Sequence, residues 1–167
     1  SIPFFMREQW FSGEKARLAK RAMEFAPKNG TIFIHSGSTT LGLGHHINNG
    51  SIITNSVMLC ELLRNRFPAG GGPEVILPGG VFDLKAGAMA GSRTERTLME
   101  YRAEITFFSS RGMDEEGLLD TNDQLAAVAR TMIMRSDCAV MLADHSKFRK
   151  FGMSRMILWD NIDIIVT

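Results

Sequence analysis

Five short segments of this chain concentrate the residue types that hold anions. They are His35-Ser36-Gly37-Ser38-Thr39-Thr40, Thr54-Asn55-Ser56, Pro78-Gly79-Gly80, Ser110-Arg111-Gly112-Met113-Asp114 and Asp144-His145-Ser146-Lys147. Glycine lets backbone N–H groups approach a ligand closely, and a helix that starts just after such a turn adds the positive end of its dipole. The hydroxyls of Ser36, Ser38, Thr39 and Thr40 supply further donors, and Lys147 supplies a compensating charge. Each piece also has a plain structural reading. Ser and Thr at a helix start act as N-caps, Gly79-Gly80 suits a simple turn, and His35 fits a satisfied core histidine. What favours a phosphate or carboxylate pocket is that the segments share one position relative to the strands.

The apolar pattern supplies those strands. Buried strands are expected over Thr31 to His35, Ser51 to Thr54, Glu74 to Leu77, Ile105 to Ser109, Cys138 to Ala143 and Ile162 to Val166. Helical spacing is expected over Glu14 to Ala26, Ser56 to Phe67, Ser92 to Arg102 and Asp123 to Arg135, and the Ser36–Thr40 turn opens a further helix. Five of the six strands lack polar alternation, which suits strands covered on both faces. Strand, helix, strand in sequence favours parallel pairing through right-handed crossovers. The expected fold is an open, mostly parallel α/β Rossmann-like sheet with helices on both faces. In such sheets ligands bind beyond the carboxyl ends of the strands, where the five segments fall.

Composition removes several function classes. The chain has 167 residues, of which 44% are hydrophobic and 22% charged, an ordinary globular profile. Nineteen Lys and Arg against 18 Asp and Glu leave a formal net charge of +1, too balanced for a domain built to hold a nucleic acid backbone. The longest apolar runs fall far short of the roughly 20 residues that cross a bilayer. Arg7, Glu8, Glu14 and Lys15 stand where a secretory h-region would be, so no membrane partner is expected and a cytoplasmic location is. Cys60 and Cys138 show no CxxC spacing and read as buried free thiols. There is no GxSxG elbow, P-loop or GxGxxG, and no cofactor is expected. Neighbours at i and i+1 point apart on a helix, so His45-His46 does not suggest a shared metal, and none is expected. Asp114-Glu115-Glu116 could offer acid and base groups, although such a loop is usually only solvated.

Taken in order, Ile34-His35-Ser36-Gly37-Ser38-Thr39-Thr40, Ile53-Thr54-Asn55-Ser56, Leu77-Pro78-Gly79-Gly80, Gly91, Gly112-Met113-Asp114, Gly117-Leu118, Ala143-Asp144-His145-Ser146-Lys147-Phe148 and Ile162 to Thr167 resemble the effector-binding domain of DeoR-family bacterial transcription regulators. The blocks keep their order over nearly the whole chain. The resemblance implies a fold similar to ribose-5-phosphate isomerase, glucosamine-6-phosphate deaminase and CoA-transferases. It also implies a phosphorylated sugar or related anionic metabolite as ligand. On that reading Ser36 to Thr40 hold the phosphate, Thr54, Asn55, Ser56, Gly79 and Gly80 shape the pocket, Asp114 meets sugar hydroxyls, and Lys147 adds charge. It implies a linker over residues 1–13, a sensor domain over 14–167, and a winged helix-turn-helix outside this chain through which operator DNA is met. It implies too that the family's chain runs on past Thr167, and that the protein is a dimer or tetramer.

Three positions depart from the family pattern. His35 stands where an Asp is usual, and Leu125 and Ala129 stand where a Glu and a Lys are frequent. Arg111, beside Gly112, adds a cation suited to an acidic or doubly phosphorylated ligand. The leading expectation is the sensor of a repressor of sugar metabolism genes, which modulates DNA binding, rather than an enzyme. A sugar-phosphate isomerase or deaminase and a ligand-free oligomerisation module are the alternatives. Arg111-Gly112-Met113-Asp114-Glu115 has Arg where the isomerases' Asp-Gly-Ala-Asp-Glu block has its first Asp.

Overall fold

The computed structural model describes residues 12–149 and 152–167. Six strands form one parallel sheet in the order β11-β9-β6-β1-β2-β3. They are β1 (Thr31–Ile34), β2 (Ser51–Thr54), β3 (Glu74–Ile76), β6 (Ala103–Phe108), β9 (Ser136–Leu142) and β11 (Ile164–Val166). All six expected strands are present. The last is shorter than expected because the Asp163 carboxylate accepts from the Ala139 amide at 2.7 Å, which closes the edge before regular pairing begins.

Side chains alternate across a strand, so consecutive apolar residues serve opposite faces. Ile32 and Ile34 of β1 join Ile52, Phe107 and Val140 under α1 (Ser12–Ala22) and α2 (Val57–Arg66). Phe33 and Ile53 face the other way, against Leu98 of α3 (Ser92–Leu98) and Val128 and Met132 of α4 (Asp123–Met134). The Ser56 hydroxyl accepts from Leu59 N and caps α2, while the Asn122 side chain accepts from Gln124 N and Leu125 N and caps α4.

Two small antiparallel units were not expected from the apolar pattern. A hairpin pairs β4 (Val81–Asp83) with β5 (Ala88–Ala90). A three-stranded sheet joins β10 (Ser154–Leu158), β8 (Gly117–Asp120) and β7 (Gly112–Met113). The helix expected after Ser36–Thr40 is a 3-10 segment over Thr40–His45. A Cβ at Gly44 would lie 2.7 Å from both Leu59 and Leu62, so the glycines there serve close packing rather than helix continuity. Helix α3 ends at Leu98, four residues before the expected end at Arg102. Cys60 and Cys138 are free, but half-buried rather than buried. Residues 1–11 of the expected linker lie outside the described residues, while Ser12 and Gly13 form the first turn of α1. Among the described residues no helix is long and apolar enough to cross a membrane.

Candidate functional site

A cavity of about 110 Å³ opens beyond the carboxyl ends of β1, β6 and β9. One wall is the loop after β1, running from His35 to Thr39. Ser109, Ser110 and Arg111 enter after β6, and Lys147 after β9. From the opposite side come Asp83, Lys85 and Ala86 of the β4–β5 turn, Asp120 to Asn122, and Leu125 on the first turn of α4.

The loop after β1 is held by side chains outside the cavity walls. Asn55, fully buried at the end of β2, accepts from Ser36 N at 2.9 Å. Its amide donates to Ser36 Oγ at 3.2 Å and to Met89 O at 3.0 Å, tying the loop to β5. Thr40 Oγ1 donates to His35 O at 2.7 Å, and Thr54 Oγ1 donates to Ile34 O at 2.6 Å. These bonds spend the hydroxyls of Thr40 and Thr54 on backbone carbonyls, which leaves the loop's shape preset rather than dependent on a ligand. Lys15, a buried cation of α1, donates to Ser38 Oγ at 2.9 Å. Thr39 Oγ1 donates to Asp144 Oδ2 at 3.3 Å. Burial opposes ionisation of Asp144, yet hydrogen bonds from Ser146 and the charges of Lys147 and Lys15 outweigh it and hold the carboxyl below its usual range.

His35 is buried against α4. Its Nε2 lies 2.8 Å from Leu125 O, and since a carbonyl only accepts, Nε2 carries the proton. Nδ1 is buried without a partner, as is Ser109 Oγ. Burial pushes the His35 pKa down against the opposing pull of Asp120, so the ring is neutral near pH 7. Arg111 is half-buried in the wall, and burial lowers its pKa while Asp120 opposes the shift. An arginine nonetheless stays charged.

Of the expected site residues, His35, Ser36, Gly37, Ser38, Thr39, Arg111 and Lys147 come together in the cavity walls. Thr40, Thr54, Asn55 and Ser56 stand behind them as supports. Gly79 and Gly80 lie elsewhere, in a turn packed on α3, where Gly79 O accepts from Thr94 Oγ1 at 2.6 Å. Gly80 has a φ of 118°, and a Cβ there would meet Ala90 O at 2.8 Å. Gly112 is buried in β7. Asp114 lies in the β7–β8 turn, gripped by both Arg155 nitrogens at 2.6 and 2.8 Å, which hold its carboxyl well below the usual range. It is not among the residues lining the cavity.

Sequence reasoning missed Asp83, Lys85, Ala86, Asp120, Thr121 and Asn122. The run Asp120-Thr121-Asn122 before α4 is a helix-start signal, and Asp83 to Gly87 between two short apolar runs is a hairpin signal. Neither signal says that its turn folds back over the sheet. Among the described residues, no group of three or more His, Cys, Asp or Glu side chains could hold a metal.

A parallel α/β sheet with a hydroxyl-rich, cation-bearing cavity at its carboxyl edge is an arrangement of the Rossmann-like class. The match to the DeoR C-terminal sensor domain covers residues 11–167, and the chain belongs to that family. It is 27% identical over its whole length to the glycerol-3-phosphate regulon repressor of Escherichia coli K12, of which it covers 66%. It is 27% identical to the transcriptional regulator GolR of Listeria innocua, with 92% of this chain and 61% of the relative aligned. It is 26% identical to the L-fucose operon activator of Haemophilus influenzae, with 90% and 60% aligned. The chain thus spans about three-fifths to two-thirds of these relatives. Among solved structures, ribose 5-phosphate isomerase A from Methanocaldococcus jannaschii shares the fold with a TM-score of 0.57 at 17% identity, over 83% of this chain and 55% of that one. The eIF2B delta protein of Chaetomium thermophilum gives 0.60 at 14% identity, over 97% and 58%. At these identities the likeness shows the shared fold and does not assign an activity.

Proposed function

We propose that this chain is the effector-sensing part of a bacterial transcriptional regulator, and that its cavity binds a phosphorylated sugar or a related anionic metabolite. The observation that carries this reading is the preset Ser36–Thr39 loop with Lys147 and Arg111 in one cavity. The names of two relatives, a glycerol-3-phosphate regulon repressor and an L-fucose operon activator, support a link to sugar and sugar-phosphate metabolism. Operator DNA would be met through a helix-turn-helix domain outside this chain, in a cytoplasmic homo-oligomer. The regulator is read as a repressor, with ligand shifting the balance between two states of unequal DNA affinity.

Helix α1 offers a mechanical route for that shift. Lys15 reaches the ligand loop through Ser38, and the adjacent Glu14 accepts from His145 N at 2.8 Å, on the loop that carries Lys147. Movement of either loop on ligand binding therefore bears on the helix that follows residues 1–11. A binding role also suits the cavity carboxylates. Asp83 and Asp120 already accept backbone amides of their own turns, which leaves them poorly placed as the mobile base that isomerisation needs.

The test is thermal denaturation with glycerol 3-phosphate, hexose phosphates, their unphosphorylated parents and inorganic phosphate. A ligand at 100 times its dissociation constant adds about 2.7 kcal/mol of stability. The reading expects a shift with a phosphorylated compound, loss of that shift in Lys147→Ala, and no chemical turnover of the compound. Turnover would support an isomerase or deaminase, and no shift with any phosphate would favour an assembly module.

A further inference from the structure

We infer that the ligand carries two acidic groups: a phosphate at the Ser36–Thr39 loop and a second acid, carboxylate or phosphate, gripped by Arg111. This rests on the anion-binding reading above and narrows it to a bis-anionic metabolite. The guanidinium of Arg111 has five N–H donors in a planar fork. It is half-buried in the cavity wall, yet it makes no hydrogen bond or ion pair with any described residue. Withdrawing such a group from water without a partner is costly, and a planar acid is the partner its fork fits best.

Neither of the cavity's own carboxylates, Asp83 and Asp120, is hydrogen-bonded or ion-paired to Arg111. Both oxygens of Asp83 are occupied, Oδ1 by the amides of Lys85 and Ala86 at 2.9 Å and Oδ2 by Asn122 at 3.1 Å. Asp120 attracts Arg111, but its Oδ1 accepts from Thr121 N at 2.7 Å and Asn122 N at 3.0 Å. A second unsatisfied donor stands two residues away, where Ser109 Oγ is buried with no partner. The two cations also act on different carboxylates. Lys147 acts on Asp144, which accepts from Thr39 of the phosphate loop, whereas Arg111 is attracted by Asp120. One phosphate at the loop would leave the Arg111 fork without a hydrogen-bonded acid.

Matched pairs of probes test this. 3-Phosphoglycerate differs from glycerol 3-phosphate by a carboxylate in place of a hydroxymethyl group, and 6-phosphogluconate differs from glucitol 6-phosphate in the same way. Calorimetric titration of the wild-type protein should show the acid member of at least one pair binding about tenfold tighter or more. In Arg111→Met both members should weaken, but the acid member by about tenfold more, so that the preference collapses. Arg111→Lys keeps the charge but loses the fork, and should retain only part of the preference. An unchanged urea unfolding midpoint in the absence of ligand shows that each variant is folded. If phosphates bind but the acid members bind no tighter, or Arg111→Met keeps the preference, the inference is wrong and the anion-binding reading survives. If no phosphate of either kind binds, both fall.

Discussion

Burial of His35 can be tested through stability alone, without a ligand. The residue is 3% exposed, with Nε2 bonded to Leu125 O and Nδ1 unpaired. In the unfolded chain the ring takes up a proton near pH 6.5. In the folded chain burial outweighs the attraction of Asp120 and of the Leu125 carbonyl, and the pKa lies lower. Below about pH 6.5 the unfolded state therefore binds more protons than the folded one. The stability from keeping His35 neutral is fully present above that pH and declines as pH falls, until the folded ring itself protonates. One proton corresponds to at most about 1.4 kcal/mol per pH unit, or roughly 3–6 °C for a domain of this size. Urea unfolding of the wild type and His35→Asn between about pH 7.5 and 5 measures the effect. His46 is also shifted down by burial and by its cationic neighbours, so it contributes with the same sign in both proteins and cancels in the difference. The wild type should lose stability more steeply than His35→Asn below pH 6.5. Equal slopes, or a wild type that gains stability on acidification, would mean that His35 is charged or solvated in the fold and that the reasoning fails.

Three other outcomes follow from the contacts around the site. Lys15→Met removes a buried charged donor to Ser38 and a cation beside Asp144, and should cost about 1.5–3 kcal/mol in urea unfolding and weaken phosphate binding. Asp114→Asn breaks the two-pronged bond with Arg155 and should lower the thermal midpoint, while calorimetric titration should find phosphate affinity unchanged because the residue lies outside the cavity lining. Phe107→Ala empties a fully buried position in β6 and should cost about 3–5 kcal/mol, read as a lower urea midpoint with unchanged m-value.

Local pattern alone was enough for the parallel sheet. Unbroken apolar runs such as Thr31-Ile32-Phe33-Ile34 suit only a strand covered on both faces, and the helices between them require crossover connections. Once strands are parallel, the loops at their carboxyl ends share one edge, which is why His35 to Thr39, Arg111 and Lys147 were legible as neighbours before any coordinates. The resemblance of motif blocks carried the family in the same way, since it depends on order along the chain.

Other parts of the site are not local properties. Gly79-Gly80 and Asp114 occupy the right kind of turn, but tertiary contacts with Thr94 and Arg155 engage them outside the cavity lining. Asp83, Lys85 and Asp120 enter the cavity because the β4–β5 hairpin and the β7-β8-β10 sheet fold over the sheet edge. The strands of these two units, two to five residues long, carry too little periodic signal to declare themselves, and their course is set by long-range bonds such as Met89 N to Asn55 O at 2.8 Å and Asn122 Nδ2 to Asp83 Oδ2 at 3.1 Å. Residue types and their order along the chain thus determined the sheet and its anion-binding edge. Only the tertiary structure decided which charges enclose that edge, because burial and pairing depend on segments far apart in sequence.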